Sequence, residues 1–195
     1  MPNYKWMDYK ILNENLVYDG FLKVKKAVVT HDRFHKDTPI TYSREMVDRG
    51  DSVAILLYEK NTDHLILINQ FRYPTTKNGN GWLLEIPAGG LEENEDPVAC
   101  AIREVKEETG YLVNSLEHIT TFYATPGGSS ERMYLYYAEV SDKDKIYVGG
   151  GLQEEDEDIE LCKHHISEID DLLESGRICD AKTIIAFQWF KTTRL

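Results

Sequence analysis

Runs in which apolar residues alternate with polar ones, or in which β-branched and aromatic residues cluster between Gly, Asp, Asn and Pro, recur along most of the chain. They predict strands over Leu16–Val29, Thr41–Val47, Ser52–Glu59, His64–Arg72, Trp82–Ile86, Leu116–Ala124, Met133–Val140 and Asp158–Cys162. Between the fifth and sixth the period changes. Val98, Ala101, Ile102, Val105 and Thr109 fall at i, i+3, i+4, i+7 and i+11, a helical stripe turned to a core. Asp96 can cap that helix, Pro97 can open it because its missing N–H has no partner to lose there, and Gly110 can end it. Ser167-Glu168-Ile169-Asp170 opens a second helix that Gly176 ends, and Asp180 caps a third running through Phe190. The order strands, helix, strands, helices predicts an α+β fold with a mixed sheet between helices. The first 50 residues read as an additional antiparallel sheet ahead of a main domain over residues 51–195.

The remaining face of the first helix changes the picture from architecture to chemistry. Glu104, Glu107 and Glu108 stand at i, i+3 and i+4, so their carboxylates rise from one patch of helix surface. Like charges at that spacing repel unless a cation lies between them, and oxygen-only ligands select hard ions, Mg²⁺ first and Mn²⁺ as a substitute. Mg²⁺ keeps waters and is commonly completed by phosphate oxygens. Arg103, four residues before Glu107, can orient that carboxylate. Taken alone, a Glu/Arg-rich helix is ordinarily a solvated face laced with ion pairs. Glu95, near the helix start, can serve the helix dipole only. Gly89 and Gly90 permit a tight turn and close backbone approach.

Length and charge narrow the classes. At 195 residues the chain can bury roughly 70% of its unfolded surface. Met1–Lys10 has neither the basic start nor the apolar stretch of a signal peptide, and no apolar run reaches the roughly 18 residues of a membrane helix, so a cytoplasmic location is expected. Three widely spaced cysteines, Cys100, Cys162 and Cys179, suggest neither a disulfide framework nor a zinc site. Cys100 reads as a small buried hydrophobe or a helix-surface residue. A net charge of −12 argues against a nucleic-acid groove but not against a small anion held by metal ions and a few arginines.

The spacing Gly89, five residues, Glu95, seven residues, Arg103-Glu104-Val105, one residue, Glu107-Glu108, one residue, Gly110-Tyr111 resembles the Nudix hydrolase box at every position. The resemblance implies an α/β/α sandwich and divalent-metal-dependent cleavage of a phosphoanhydride. It implies metal ligation by Glu104, Glu107 and Glu108, a further metal contact from the Ala88 carbonyl, and a place for Glu85 near it.

Pro126 lies fifteen residues beyond Tyr111, within Ala-Thr-Pro-Gly-Gly-Ser-Ser-Glu, and this placement resembles the ADP-ribose pyrophosphatases and their nucleoside diphosphate sugar relatives. A Pro-Gly pair by itself means a turn; Gly127 and Gly128 would let backbone amides approach a phosphate or sugar. Gly149-Gly150-Gly151-Leu152 followed by six acids in residues 154–160 is, by composition, a solvated loop. It also matches the loop that closes over the diphosphate in that branch, which makes Glu155 the candidate base and Glu157 a metal or water-positioning group. Arg72 aligns with a diphosphate-contacting arginine, and Arg49 is a weaker candidate of the same kind. Tyr18 and Phe21 are candidates to stack on the base, although aromatics in strands are mostly core. The resemblance further implies a homodimer joined through the N-terminal sheet. ADP-ribose is the first expected substrate and GDP-mannose the alternative. A Nudix module that senses nucleotide sugars without cleaving them is the rival of another class, and dinucleoside polyphosphates, oxidised nucleoside triphosphates and capped RNA are the other Nudix substrates.

Overall fold

The computed structural model describes residues 7–195, the side chain of Glu155 excepted. The chain forms two compact units, one taking in the described residues up to Gly50 together with Thr125–Glu131, the other Asp51–Ala124 with Arg132–Leu195. Among the described residues no helix is long and apolar enough to cross a membrane.

The first unit is an antiparallel sheet in the order β1 (Tyr9–Asp19), β2 (Lys23–Arg33), β3 (Lys36–Asp48). The single strand expected over residues 16–29 is therefore two strands. Asp19-Gly20 turns the chain between them, a breaker pair whose meaning outweighs the apolar residues on either side. Every residue of β1 is exposed, including Ile11, Leu12, Leu16 and Val17. Tyr18 and Phe21 are exposed as well, Phe21 to 95%, so these aromatics are not core residues. Thr125–Glu131 belongs to this unit through Val47, whose N–H donates to the Gly128 carbonyl at 2.8 Å and whose carbonyl accepts from Ser130 N–H at 3.1 Å.

The second unit is built on a mixed, seven-stranded sheet, with β10 (Ile159–His165), β5 (His64–Phe71), β4 (Ser52–Glu59), β9 (Arg132–Val140) and β8 (Glu117–Tyr123) in that order. β4 and β9 are parallel and the other pairs antiparallel. β4 is apolar almost throughout because both of its faces are covered. Val53, Ile55 and Leu57 pack with Cys100, Ala101 and Val105 of α1 (Pro97–Thr109). Ala54 and Leu56 face the other way, toward Ile169 and Leu172 of α2 (Ile169–Glu174) and Phe187 and Phe190 of α3 (Ala181–Thr193). Helices thus cover both faces of one sheet, the α+β sandwich expected.

The β4–β5 hairpin pairs only at its closed end, over Leu57–Glu59 and His64–Ile66. Beyond that the two strands part and the gap is filled by β6 (Trp82–Glu85) on β5 and β7 (Ala88–Gly90) on β4. The changeover falls at Ile86-Pro87, where proline has no N–H to give to a ladder, while its carbonyl accepts from Ile55 N–H at 2.9 Å. β7 has no apolar pattern, and only its glycines mark it in the sequence.

Candidate active site

The helix that carries the three glutamates begins and ends as its sequence requires. Asp96 accepts from the N–H groups of Val98 and Ala99 at 2.9 and 3.2 Å, Pro97 is its first residue, and Gly110 ends it at φ 74°. A cap of this kind contributes about 1 kcal/mol. The buried face overlaps the stripe that apolar spacing marks out, through Ala101, Val105 and Thr109, but is wider than it. Val98 is exposed and Ile102 half-buried, while Cys100, Ala101, Glu104, Val105, Glu108 and Thr109 are buried. The helix packs on β4 and β7, so two carboxylates share the buried side with Ala101 and Val105. Apolar periodicity cannot register a face buried for chemistry.

Glu108 is held by the Ala88 N–H, which donates to its Oε2 at 2.9 Å. Glu104 lies against Gly89, where any Cβ would intrude on the carboxylate. Burial, reinforced by the charge of Glu104, raises the Glu108 carboxyl well above the ordinary range. Burial likewise brings Glu104 up to about 7 against the opposing charge of Arg103. Glu107 is half-buried and accepts from Arg103 Nη1 at 3.0 Å. The same nitrogen is 2.8 Å from Glu104 Oε1. Glu95 turns to Arg103 rather than to this pair. It takes two N–H groups of Arg103 at 3.0 and 3.1 Å, and those bonds hold its carboxyl down at about 2. Arg103 is thus fixed at both ends and stands as counter-ion to the carboxylates.

Behind this cluster Glu85 is buried, accepting from Arg72 Nε at 2.7 Å on one oxygen and from Lys182 Nζ on the other. Lys182 also pairs with Asp180 at 2.9 Å. Arg72 is near enough for its charge to act on Glu108. Lys182 escaped the sequence reading, because a lysine two residues beyond a helix cap carries no local signal of burial.

The acidic loop is anchored rather than free. Gly149, Gly150 and Gly151 have φ of 80°, 116° and 82°, values that side chains rarely permit. Gly150 N–H donates to the Glu108 carbonyl at 2.8 Å and Gly151 N–H to that of Glu107 at 3.2 Å, satisfying carbonyls that a helix end otherwise leaves open. A Cβ on Gly149 would meet that helix end. The docking sets the Glu157 carboxylate where its charge raises both Glu104 and Glu108. Glu157 Oε2 accepts from Leu152 N–H at 3.0 Å. The side chain of Glu155 lies outside the described residues.

Arg49, Pro126 and Gly127 belong to the first unit. Arg49 lies 3.9 Å from Glu131, and its neighbour Asp48 accepts from the Ser130 hydroxyl at 3.2 Å.

Among the described residues no three His, Cys, Asp or Glu side chains are arranged to hold a metal ion by themselves. The donor set nonetheless suits a hard cation. Two buried carboxylates offer oxygen ligands, and the Glu104 carboxylate packs directly against the bare backbone of Gly89.

A mixed sheet between helices, with a glycine-opened loop feeding a helix whose buried face is acidic, is the arrangement of an enzyme acting on phosphoanhydride bonds, and the chain belongs to the Nudix family. Residues 48–187 match the NUDIX domain, and Nudix hydrolases generally use a divalent metal ion. The chain is 39% identical to the GDP-mannose pyrophosphatase of Cronobacter sakazakii (strain ATCC BAA-894), over 91% of this chain and 94% of that one. It is 35% identical to that of Escherichia coli (strain K12 / DH10B), over 95% and 96%. A solved structure titled an ADP compounds hydrolase superposes with a TM-score of 0.72 at 23% identity, over 96% of this chain and 97% of the other, a likeness of fold.

Proposed function

We propose that this chain is a Mg²⁺-dependent pyrophosphatase that cleaves a nucleoside diphosphate sugar to a nucleoside monophosphate and a sugar phosphate. GDP-mannose stands first and ADP-ribose second. The motifs alone favoured the opposite order; similarity to GDP-mannose pyrophosphatases along nearly the whole chain supports the change. The observation that carries the chemistry is a pair of buried carboxylates, Glu104 and Glu108, with Arg72 near enough for its charge to act on Glu108 and held by buried Glu85, which also accepts from Lys182.

Glu104, Glu107 and Glu108, with the Ala88 carbonyl, would hold the metal, which when bound neutralises the diphosphate and lowers the pKa of an attacking water. Arg72 presents its guanidinium to phosphate oxygens from a fixed position, since Glu85 occupies its Nε and leaves the outer nitrogens to bind. Lys182 adds a second positive charge on the same anchor. Arg103 orients Glu107 and Glu95. Glu157 takes the proton of water on the oxygen that Leu152 does not occupy, with Glu155 as the alternative base on the same loop.

A homodimer joined through the first unit is part of the proposal. β1 is an edge strand with exposed Ile11, Leu12, Leu16 and Val17, an apolar surface that a second copy would cover. Sedimentation should give twice the chain mass, and a monomer at micromolar concentration would remove this part.

The function is tested by phosphate release from GDP-mannose, ADP-ribose, ADP-glucose and NADH with Mg²⁺, coupled to a phosphatase that acts on the monoester products. Preference for GDP-mannose supports the ordering, and preference for ADP-ribose reverses it. Silence across the panel from folded protein would refute the assignment.

A further inference from the structure

A cavity of about 940 Å³ opens on the sheet face opposite α1. Its floor is set by register. Asn69 of β5 stands opposite Leu84 of β6 and Glu160 of β10, so the three share a face, and Leu84 packs with Ile178 and Phe187 rather than with α1. Trp82, nearly half exposed, forms one wall, braced edge-on by Phe71 at 5.6 Å between ring centroids. Asn78, Arg177 and Asp180 close the other sides.

The lining defines the ligand. Glu160 and Asp180 stand against the guanidinium of Arg177, and Lys182 is already paired with Asp180 at 2.9 Å, so the lining has no surplus positive charge to hold a phosphate or carboxylate. An apolar ligand would strand the side-chain amides of Asn69 and Asn78. Asp180 Oδ2 is buried without a hydrogen-bond partner, whereas Oδ1 is satisfied by Thr183 N–H and Lys182. A buried carboxylate oxygen at a cavity wall calls for an incoming donor. Amides supply donor and acceptor together, carboxylates accept from hydroxyls, and an indole face covers a C–H surface. An uncharged polyhydroxylated ring has all three complements.

We infer that this cavity is a second binding site, separate from the carboxylate helix, for an uncharged sugar or cyclic polyol that packs on Trp82 and donates hydroxyls to Glu160 and Asp180. The site stands independently of the hydrolytic substrate, and its test reads binding rather than turnover.

Cys179 lines the same cavity and is exposed, while Cys100 is buried and Cys162 half-buried with its thiol pushed up by desolvation. Iodoacetamide alkylation of Cys179, followed by peptide mass spectrometry, therefore reports occupancy. Glucose, mannose, galactose and ribose, each without phosphate, are titrated against the full chain, with tryptophan emission recorded in parallel. At least one should slow alkylation of Cys179 saturably and change the emission. Asn78→Ala, at an exposed position whose side chain makes no hydrogen bond, should fold normally and weaken that sugar by about fivefold, the loss of one hydrogen bond. Trp82→Ala should abolish the emission change. The inference is overturned if no neutral sugar protects Cys179, if inorganic phosphate or AMP protects equally well, or if protection is unchanged in both variants.

Discussion

Two adjacent glycines of the box make opposite demands, and a methyl group placed on each separates them. At Gly89 an added Cβ would sit far inside the 3.0 Å that real Cβ atoms keep, with the Glu104 carboxylate as the obstructed group. At Gly90 nothing lies within 4 Å. In Gly89→Ala the obstructed atoms are the end of a side chain, so the fold survives at a cost of about 1–3 kcal/mol of overpacking. The carboxylate must withdraw by about 1 Å or more, a displacement that can lower turnover on the order of 10²-fold when the group positions a reacting centre. Kinetics with a nucleoside diphosphate sugar across a Mg²⁺ titration, beside thermal melting, read both effects. Gly89→Ala should need more metal and turn over more slowly while still melting cooperatively; Gly90→Ala should match the parent. Wild-type metal dependence and turnover in Gly89→Ala would refute the claim that the Glu104 carboxylate is placed by the bare backbone of residue 89.

Glu108→Gln keeps an oxygen for the Ala88 N–H and removes a buried charge, so turnover should be abolished while the melting temperature holds or rises; a near-parental rate would sink the metal assignment. Gly151→Ala would press on the Glu157 carboxylate at a φ of 82°, and turnover should fall on the order of 10²-fold with the fold intact. Acid stability should depend on Glu59, buried at the end of β4. Burial pushes its carboxyl up, but hydrogen bonds from Lys163 at 2.6 Å, Thr62 and Tyr111 at 2.7 Å outweigh it and hold the group at about 2. A folded pKa below the unfolded value of 4.5 contributes stability above about pH 4.5 that is lost as pH falls toward 2. Lys163→Met should therefore cost about 2 kcal/mol at pH 7, allowing for the part-exposed lysine, with a gap that narrows at pH 3. Urea titrations at the two pH values check it, and a gap that stays constant would count against the network.

What the sequence disclosed follows from which forces act locally. The caps at Asp96 and Gly110 are decided by adjacent backbone groups, and both stand where the residues predict. The apolar run of β4 marks a strand, and the structure covers it on both faces. By contrast β7 exists because Pro87 ends one ladder and glycines begin another, a matter of pairing with β4, from Ser52 opposite Gly90 to Ala54 opposite Ala88, far along the chain. The buried carboxylate face of α1 ran against apolar periodicity for the same reason: its neighbours are the β7 backbone and the docked glycines. Lys182 and Glu85 meet across nearly a hundred residues of chain, and nothing near either one in sequence anticipates the other.

The glycine triplet has one more consequence. Its amides fix the entry of the acidic loop to the end of α1, and Ile159 N–H, bonded to the Gly150 carbonyl at 3.3 Å, fixes the exit. Leu152 and Glu157 then close on each other, the backbone of Glu157 donating to the Leu152 carbonyl at 3.2 Å. The segment between is a lariat on a rigid stem. Gln153, Glu154, Glu155 and Asp156 can change in identity without disturbing the helix, so diversification of reaction preference in such a chain has a natural cassette at those four positions, while the stem must stay glycine.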